Sequence, residues 1–185
     1  MTHLDIFLRF IIFFLVRRSE GKVIPKHSAD ELIKAACETN DDPASCVELL
    51  YTVPGATAGN LTQLGLASVQ LAQTHIRETS YHTAFLNDTT TDERLHNIFS
   101  TCSSWHGLGL MWLDGATQAM VSRSYEVARD LSWNAGEGAR YCEAEFRAAP
   151  ARHSPLTQAN ELTHRLCQIV TRISDLLLYV VDSKT

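Results

Sequence analysis

The sequence predicts an all-α fold: an N-terminal helical hairpin followed by an up-down-up-down four-helix bundle. β-branched alternation is absent beyond Pro25, so no stretch reads as a strand. Apolar residues instead recur at steps of three and four along four long segments. Clusters of turn residues fall between those segments, too widely spaced for an all-β chain.

The hairpin runs from about Ala29 to Leu50, with the polar turn Asn40-Asp41-Asp42-Pro43 between two short helices. Thr52-Val-Pro-Gly55 breaks the chain, and a long helix follows from about Ala58 to Phe85. The cluster Asn87 to Thr91 ends it, and Asp92 is placed to cap the next helix. That helix carries Leu95, Ile98, Phe99, Cys102, His106, Gly109, Leu113, Ala116 and Met120 on one stripe, the signature of a core-facing helix, and ends near Val121. Beyond Ser122-Arg-Ser124, a third helix presents Ala128, Leu131, Ala135, Gly138, Cys142 and Phe146. Pro150 to Pro155 breaks the chain again. The last helix carries Leu162, Leu166, Ile169, Ile173, Leu176 and Val180, a coiled-coil-like seam. Four long helices with short links make a bundle.

Five cysteines and an apolar leader point to a secreted, disulfide-stapled domain. Cys37, Cys46, Cys102 and Cys142 admit three pairings, and chain order favours nearest neighbours. A Cys37–Cys46 bridge would contribute roughly 2.7 kcal/mol and a Cys102–Cys142 bridge roughly 4 kcal/mol in the loop-entropy model. Cys102 and Cys142 both fall on apolar stripes of consecutive helices. Cys167 lies well round the last helix from its seam and reads as a free thiol, with dimerisation through it as the sharper reading.

Residues Ile6 to Val16 have the length of a signal-peptide core and are too short to span a bilayer, although Arg9 interrupts the run and no Ala-x-Ala site follows. Residues 1–21 are therefore expected to be an atypical signal peptide, 22–27 a linker and 28–182 the domain, secreted to the extracellular space and free of the membrane when mature. The sequons Asn60-Leu-Thr and Asn87-Asp-Thr suit that compartment, while Asn60 is equally placed to cap a helix. A formal net charge of -5 argues against nucleic acid as a partner.

Two Glu-x-x-His sequences, Glu93 to His96 and Glu161 to His164, suggest a di-metal bundle site, whose ligands must project inward. At 100° per residue both pairs point away from the apolar stripes, so no metal is expected. His75, Glu78 and His82 share one helix face, read as solvated. No nucleophile elbow, zinc-binding helix, phosphate loop or Cys-x-x-Cys occurs. The chain is expected to bind rather than catalyse, with no cofactor.

Leu32-Ile33 leading to Cys37-x-Thr39, then Pro43-x-x-Cys46-x-x-Leu49, the Cys102 helix, Leu131-Ser-x-x-Ala135, Tyr141-Cys142-x-x-x-Phe146, Ser154-Pro155-Leu156 and Asn160 together resemble the plant invertase and pectin methylesterase inhibitor family. The match spans roughly Ser28 to Leu178. The resemblance implies bridges between the first and second and the third and fourth cysteines, often with a free fifth. It also implies an apoplastic protein that covers the substrate cleft of a cell-wall enzyme and carries no catalytic residues. Members that inhibit acid invertase often present Pro-Lys-Phe where this chain has Glu93-Arg94-Leu95, which tilts the expected target to pectin methylesterase, with acid invertase as the alternative. A secreted bundle that binds something other than an enzyme is the second alternative. Arg94, Gln118, Arg123 and Glu126, outside the apolar stripes on the helices the family tends to use, are the expected interface residues. His75, His82, His96 and His106 are expected to charge in the acidic wall and make binding pH-dependent.

Overall fold

The computed structural model describes residues 28–40, 42–54 and 60–182; the expected leader and linker lie outside them. Among the described residues six helices follow one another: α1 Ala29–Cys37, α2 Pro43–Tyr51, α3 Leu61–Thr89, α4 Glu93–Val121, α5 Tyr125–Arg147 and α6 Thr157–Asp182. Among the four long ones, α3 packs on α4 and α6, and α5 packs on α4 and α6, the ring of neighbours of an antiparallel bundle with short links. The hairpin α1–α2 rests on the bundle through α1 and α6.

Local chemistry sets the helix starts. Ser28 and Glu31 form a reciprocal capping box at α1, which satisfies two donors that the first turn leaves orphaned. Asp42 accepts from the Ser45 N–H ahead of Pro43, at the first position of α2, where a missing N–H costs nothing. Asn60 Oδ1 accepts from the Gln63 N–H at 2.8 Å. Asp92 Oδ1 accepts from the N–H groups of Leu95 and Arg94, and its other oxygen receives Arg152 Nε at 3.1 Å. The Leu95 N–H is the largest influence holding this carboxyl below the usual range, with Arg152 adding to it.

α3 runs one turn further than the sequence predicts. Thr89 folds its hydroxyl onto the Phe85 carbonyl at 2.8 Å and Thr90 N–H reaches the Leu86 carbonyl, so Asn87-Asp88-Thr89 join the helix. α4 ends in a Schellman motif. Ser124 N–H bonds the Ala119 carbonyl at 2.8 Å, Arg123 N–H bonds the Met120 carbonyl at 3.2 Å, and Arg123 stands at φ 61°. That left-handed position normally takes glycine.

The structure bridges Cys37 to Cys46 across the hairpin and Cys102 to Cys142 between α4 and α5, with Cα–Cα distances of 5.6 and 4.7 Å. Cys167 departs from expectation in its position. It is completely buried, and burial pushes its thiol up to about 12. The reason is the width of the buried face of α6. Asn160, Thr163, Leu166, Cys167, Val170, Ile173, Ser174 and Leu177 are all inside, while Leu162 and Leu176, expected in the seam, are only partly buried. A helix that meets α3, α5 and α1 buries more of its circumference than a two-stranded seam does. Val180 lies outside the described side chains. Gly136 lets α5 approach there, since a Cβ on it would stand 3.0 Å from Cys167 Cβ. Cys167 is the free thiol the sequence predicts, and its burial encloses the sulfur that the dimerisation reading would need exposed.

Two measurements check this frame. The native protein should leave Cys167 unreactive toward a thiol reagent and expose one thiol per chain on unfolding. Replacing Cys102 and Cys142 together by alanine should cost about 4 kcal/mol in urea unfolding, against about 2.7 kcal/mol for Cys37 with Cys46; the reverse order would contradict the loop-length argument.

Candidate functional site

The outer face of the α4–α5 pair carries several exposed apolar side chains. On α4, Trp105, Leu108 and Trp112 recur at steps of three and four along the flank of the stripe that buries His106, Gly109 and Leu113; the two tryptophans are half-buried against the core, while Leu108 and Met111 are exposed. On α5, Val127, Leu131 and Tyr141 share the side that faces α4. Met111 is 58% exposed, Tyr141 51% and Val127 50%. Trp105 and Tyr141 meet with ring centroids 4.9 Å apart and planes inclined by 34°.

Two glycines shape this strip. A Cβ on Gly138 would lie 3.7 Å from Trp112 Cζ3 and 3.8 Å from Trp105 Cε3, and one on Gly115 would stand 2.9 Å from Leu131 Cδ1. At Gly115 the Leu131 side chain takes the space a Cβ would fill, while at Gly138 the tryptophans lie at ordinary contact distance. Polar residues lie among and beside these side chains, Asn134, Asp130 and Glu137 on α5 and Asp114 on α4. Rigid Trp and Tyr side chains flanked by polar ones are what a protein-binding hot spot needs, and an exposed apolar patch rimmed by polar groups marks an interaction site.

A buried polar chain supports the strip from behind. His106, 2% exposed, sits 3.3 Å through Nε2 from Asn160 Oδ1. Asn160 Nδ2 donates to Glu143 Oε2 at 3.1 Å and lies 3.2 Å from Cys142 Sγ, so its oxygen faces the imidazole and Nε2 carries the proton. Glu143 also accepts from the hydroxyls of Ser154 at 2.9 Å and Thr157 at 2.8 Å. On the other side, Thr83 Oγ1 donates to the Thr79 carbonyl and lies 3.5 Å from His106 Nδ1. The chain crosses α3, α4, α6 and α5 beside the Cys102–Cys142 bridge. It gives a physical role to the sequence positions Ser154 and Asn160, which composition alone left unexplained.

Several expected residues sit elsewhere. Arg94 points its Nη2 at the Glu145 carbonyl, 3.1 Å away, and serves α4–α5 packing. It stands about 36 Å along α4 from Gln118, so the four expected interface residues form no single patch. Gln118, Arg123 and Glu126 gather at the α4–α5 corner, where Glu126 lies 3.6 Å from Arg129. His75 is no solvated group: its Nε2 lies 3.0 Å from the Ala159 carbonyl and ties α3 to α6. His106 does not charge with the exposed histidines, because burial pushes its pKa down and the Asn160 bond offsets this only in part. Glu93, His96 and Glu161 are exposed, and His164 packs against the Gly136 carbonyl at 3.3 Å. Asn60 is exposed at the α3 cap, whereas Asn87 Oδ1 is buried without a partner. Trp105, Trp112 and Tyr141 were not singled out in the sequence; their spacing beside the core stripe was the available signal.

Comparisons with known proteins agree on one family. The profile described as plant invertase/pectin methylesterase inhibitor matches residues 31–173. A curated relative from Actinidia deliciosa, named pectinesterase inhibitor, is 29% identical over 176 residues, covering 95% of this chain and 94% of the relative. Among solved structures, a mutant form of a pectin methylesterase inhibitor from Arabidopsis aligns with a TM-score of 0.69 at 19% identity, over 77% of this chain and 95% of that one. A pectin methylesterase inhibitor from Arabidopsis thaliana aligns with a TM-score of 0.59 at 20% identity, over 78% and 95%. At these identities the two structures speak to the fold.

The buried imidazole has a pH signature. Its folded pKa is lowered, so the unfolded chain binds the proton first, and the stabilisation present above about pH 6.5 is lost as pH falls toward the folded value. Urea midpoints should drop from about pH 7.5 to about pH 5 with a slope of up to about 1.4 kcal/mol per pH unit from this group. His106→Gln, less stable at the higher pH, should show a shallower fall; an unchanged slope would contradict the assignment.

Proposed function

The chain belongs to the plant invertase/pectin methylesterase inhibitor family, and from that premise we propose that it inhibits pectin methylesterase by laying the α4–α5 strip over the enzyme's substrate cleft. The carrying observation is the apolar group of Trp105, Leu108, Met111, Trp112 and Tyr141, set on two helices that a disulfide and a buried polar chain hold in register. A rigid face binds without ordering cost, so more of its contact energy reaches affinity. The 29% identity to a relative named pectinesterase inhibitor over nearly the whole chain favours that target. Glu93-Arg94-Leu95, engaged in packing at the start of α4, gives no support to acid invertase, which remains the control enzyme. Gln118, Arg123 and Glu126 then stand at the rim beyond the Val127 end of the strip, where charge sets association rate and register more than affinity.

The same reading makes the protein extracellular. Two disulfides persist in an oxidising compartment, and among the described residues no helix is long and apolar enough to cross a membrane. Of the two sequons, exposed Asn60 is the better glycan acceptor; Asn87 sits in the last turn of α3 with its side-chain oxygen enclosed.

Inhibition of pectin methylesterase and acid invertase, measured side by side, tests the proposal. Tyr141→Ala should weaken pectin methylesterase inhibition about tenfold or more, the scale of a hot-spot truncation, while its far-UV spectrum and unfolding midpoint stay near those of the parent. Full potency in a variant that also carries Met111→Ala would reject the strip as the docking face, and potency against invertase alone would reject the target.

A further inference from the structure

A second recess lies on the opposite flank of α5 from the aromatic strip. It is a groove of about 580 Å³ between α5 and the first turns of α6, within the size range of small-molecule sites. Its walls differ from those of an ordinary apolar pocket. Arg140, Glu143 and Arg147 of α5 face Thr157, Glu161 and His164 of α6, with Asn160 at the floor.

The state of these groups limits what fits. Glu143 is fixed by three donors, the hydroxyls of Ser154 and Thr157 and the Asn160 amide. Arg140 leans on Glu137 at 3.4 Å. Among the described residues, the Arg147 guanidinium and the Glu161 carboxylate have no ion pair or side-chain hydrogen bond. The groove thus offers a free planar cation on one wall, a free carboxylate on the other, and a hydroxyl and an imidazole between them. An apolar ligand gains nothing there, because it would strip water from charges without replacing the bonds. A simple anion satisfies the cation and is repelled by Glu143 and Glu161. A ligand with a carboxylate at one end and hydroxyls along its body answers both walls. The carboxylate takes the guanidinium fork, and hydroxyls, which donate and accept, meet Glu161, Thr157 and His164.

We propose that the α5–α6 groove is a binding site for an acidic saccharide, a uronate with its carboxylate on Arg147 and its hydroxyls on Glu161. The site shares no residue with the strip, so the protein can carry the saccharide and its protein target together. Weak affinity is expected of an open polar groove, with Kd on the order of 1 mM.

Heteronuclear NMR titration of the whole oxidised protein tests this, using a uronic-acid trisaccharide, the corresponding neutral trisaccharide and inorganic phosphate as separate probes. The uronate should give saturable shifts at Arg147, Thr157, Glu161 and His164. Arg147→Gln should weaken it about tenfold, the loss of one charge-assisted contact, and Glu161→Gln severalfold, while Tyr141→Ala leaves it unchanged. Equal binding of the neutral sugar, equal binding of phosphate, shifts that survive Arg147→Gln, or no shifts at these residues would each overturn the proposal. None of these outcomes depends on enzyme inhibition, so this site and the docking face fail separately.

Discussion

One carboxamide holds the centre of the molecule. Asn160 is buried on α6, its oxygen turned to His106 of α4 and its nitrogen to Glu143 of α5. A buried amide must find partners for both ends, and here each end commits to a different helix. The arrangement fixes how far α6 is inserted and which way it is rotated. The Cys102–Cys142 bridge runs alongside, close enough for the Asn160 nitrogen to lie 3.2 Å from Cys142 Sγ. Apolar packing alone tolerates small slips between helices; a hydrogen-bonded network with one satisfying geometry does not. The flat aromatic face outside depends on that register, because Trp105 and Tyr141 stack only when α4 and α5 stay in step.

The helices were legible because each long segment repeats its apolar residues at steps of three and four, and the caps Asn60 and Asp92 announced where two of them begin. Legibility failed where burial depends on the number of neighbours. A seam read on α6 as if it met one partner placed Cys167 outside; three partners bring it in. The α3 terminus was placed early because Asn87 and Thr89 are turn formers by preference, and the bonds of the Thr89 hydroxyl to Phe85 and of the Thr90 N–H to Leu86 are invisible until the helix exists. The apolar strip went unread for a different reason. Polar and charged residues off the core stripe were the expected contact set, and the apolar side chains that flank that stripe look in the sequence like its margin. His75 and His106 show the same limit: a histidine's partner, not its helical phase, decides whether it meets water.

An inhibitor needs a surface rather than a reactive group, and the distribution of polar atoms follows that need. The polar network points inward and its members are bonded to one another, which leaves them unavailable for chemistry on a substrate. The outward face carries aromatic side chains, with glycines at positions 115 and 138 beneath it. Those glycines lower the intrinsic helical preference of α4 and α5, so these helices owe their order to packing and to the bridge between them.

The enclosed sulfur of Cys167 has a meaning for the safety of the two bridges. Disulfides exchange by attack of a thiolate on an existing bridge, and an odd cysteine is the natural attacker. Sealing that atom against Gly136, where its proton is held far above neutral pH, removes the nucleophile once the bundle closes. The folded molecule thereby protects its own bond pattern, and scrambling is confined to chains whose last helix has not yet docked.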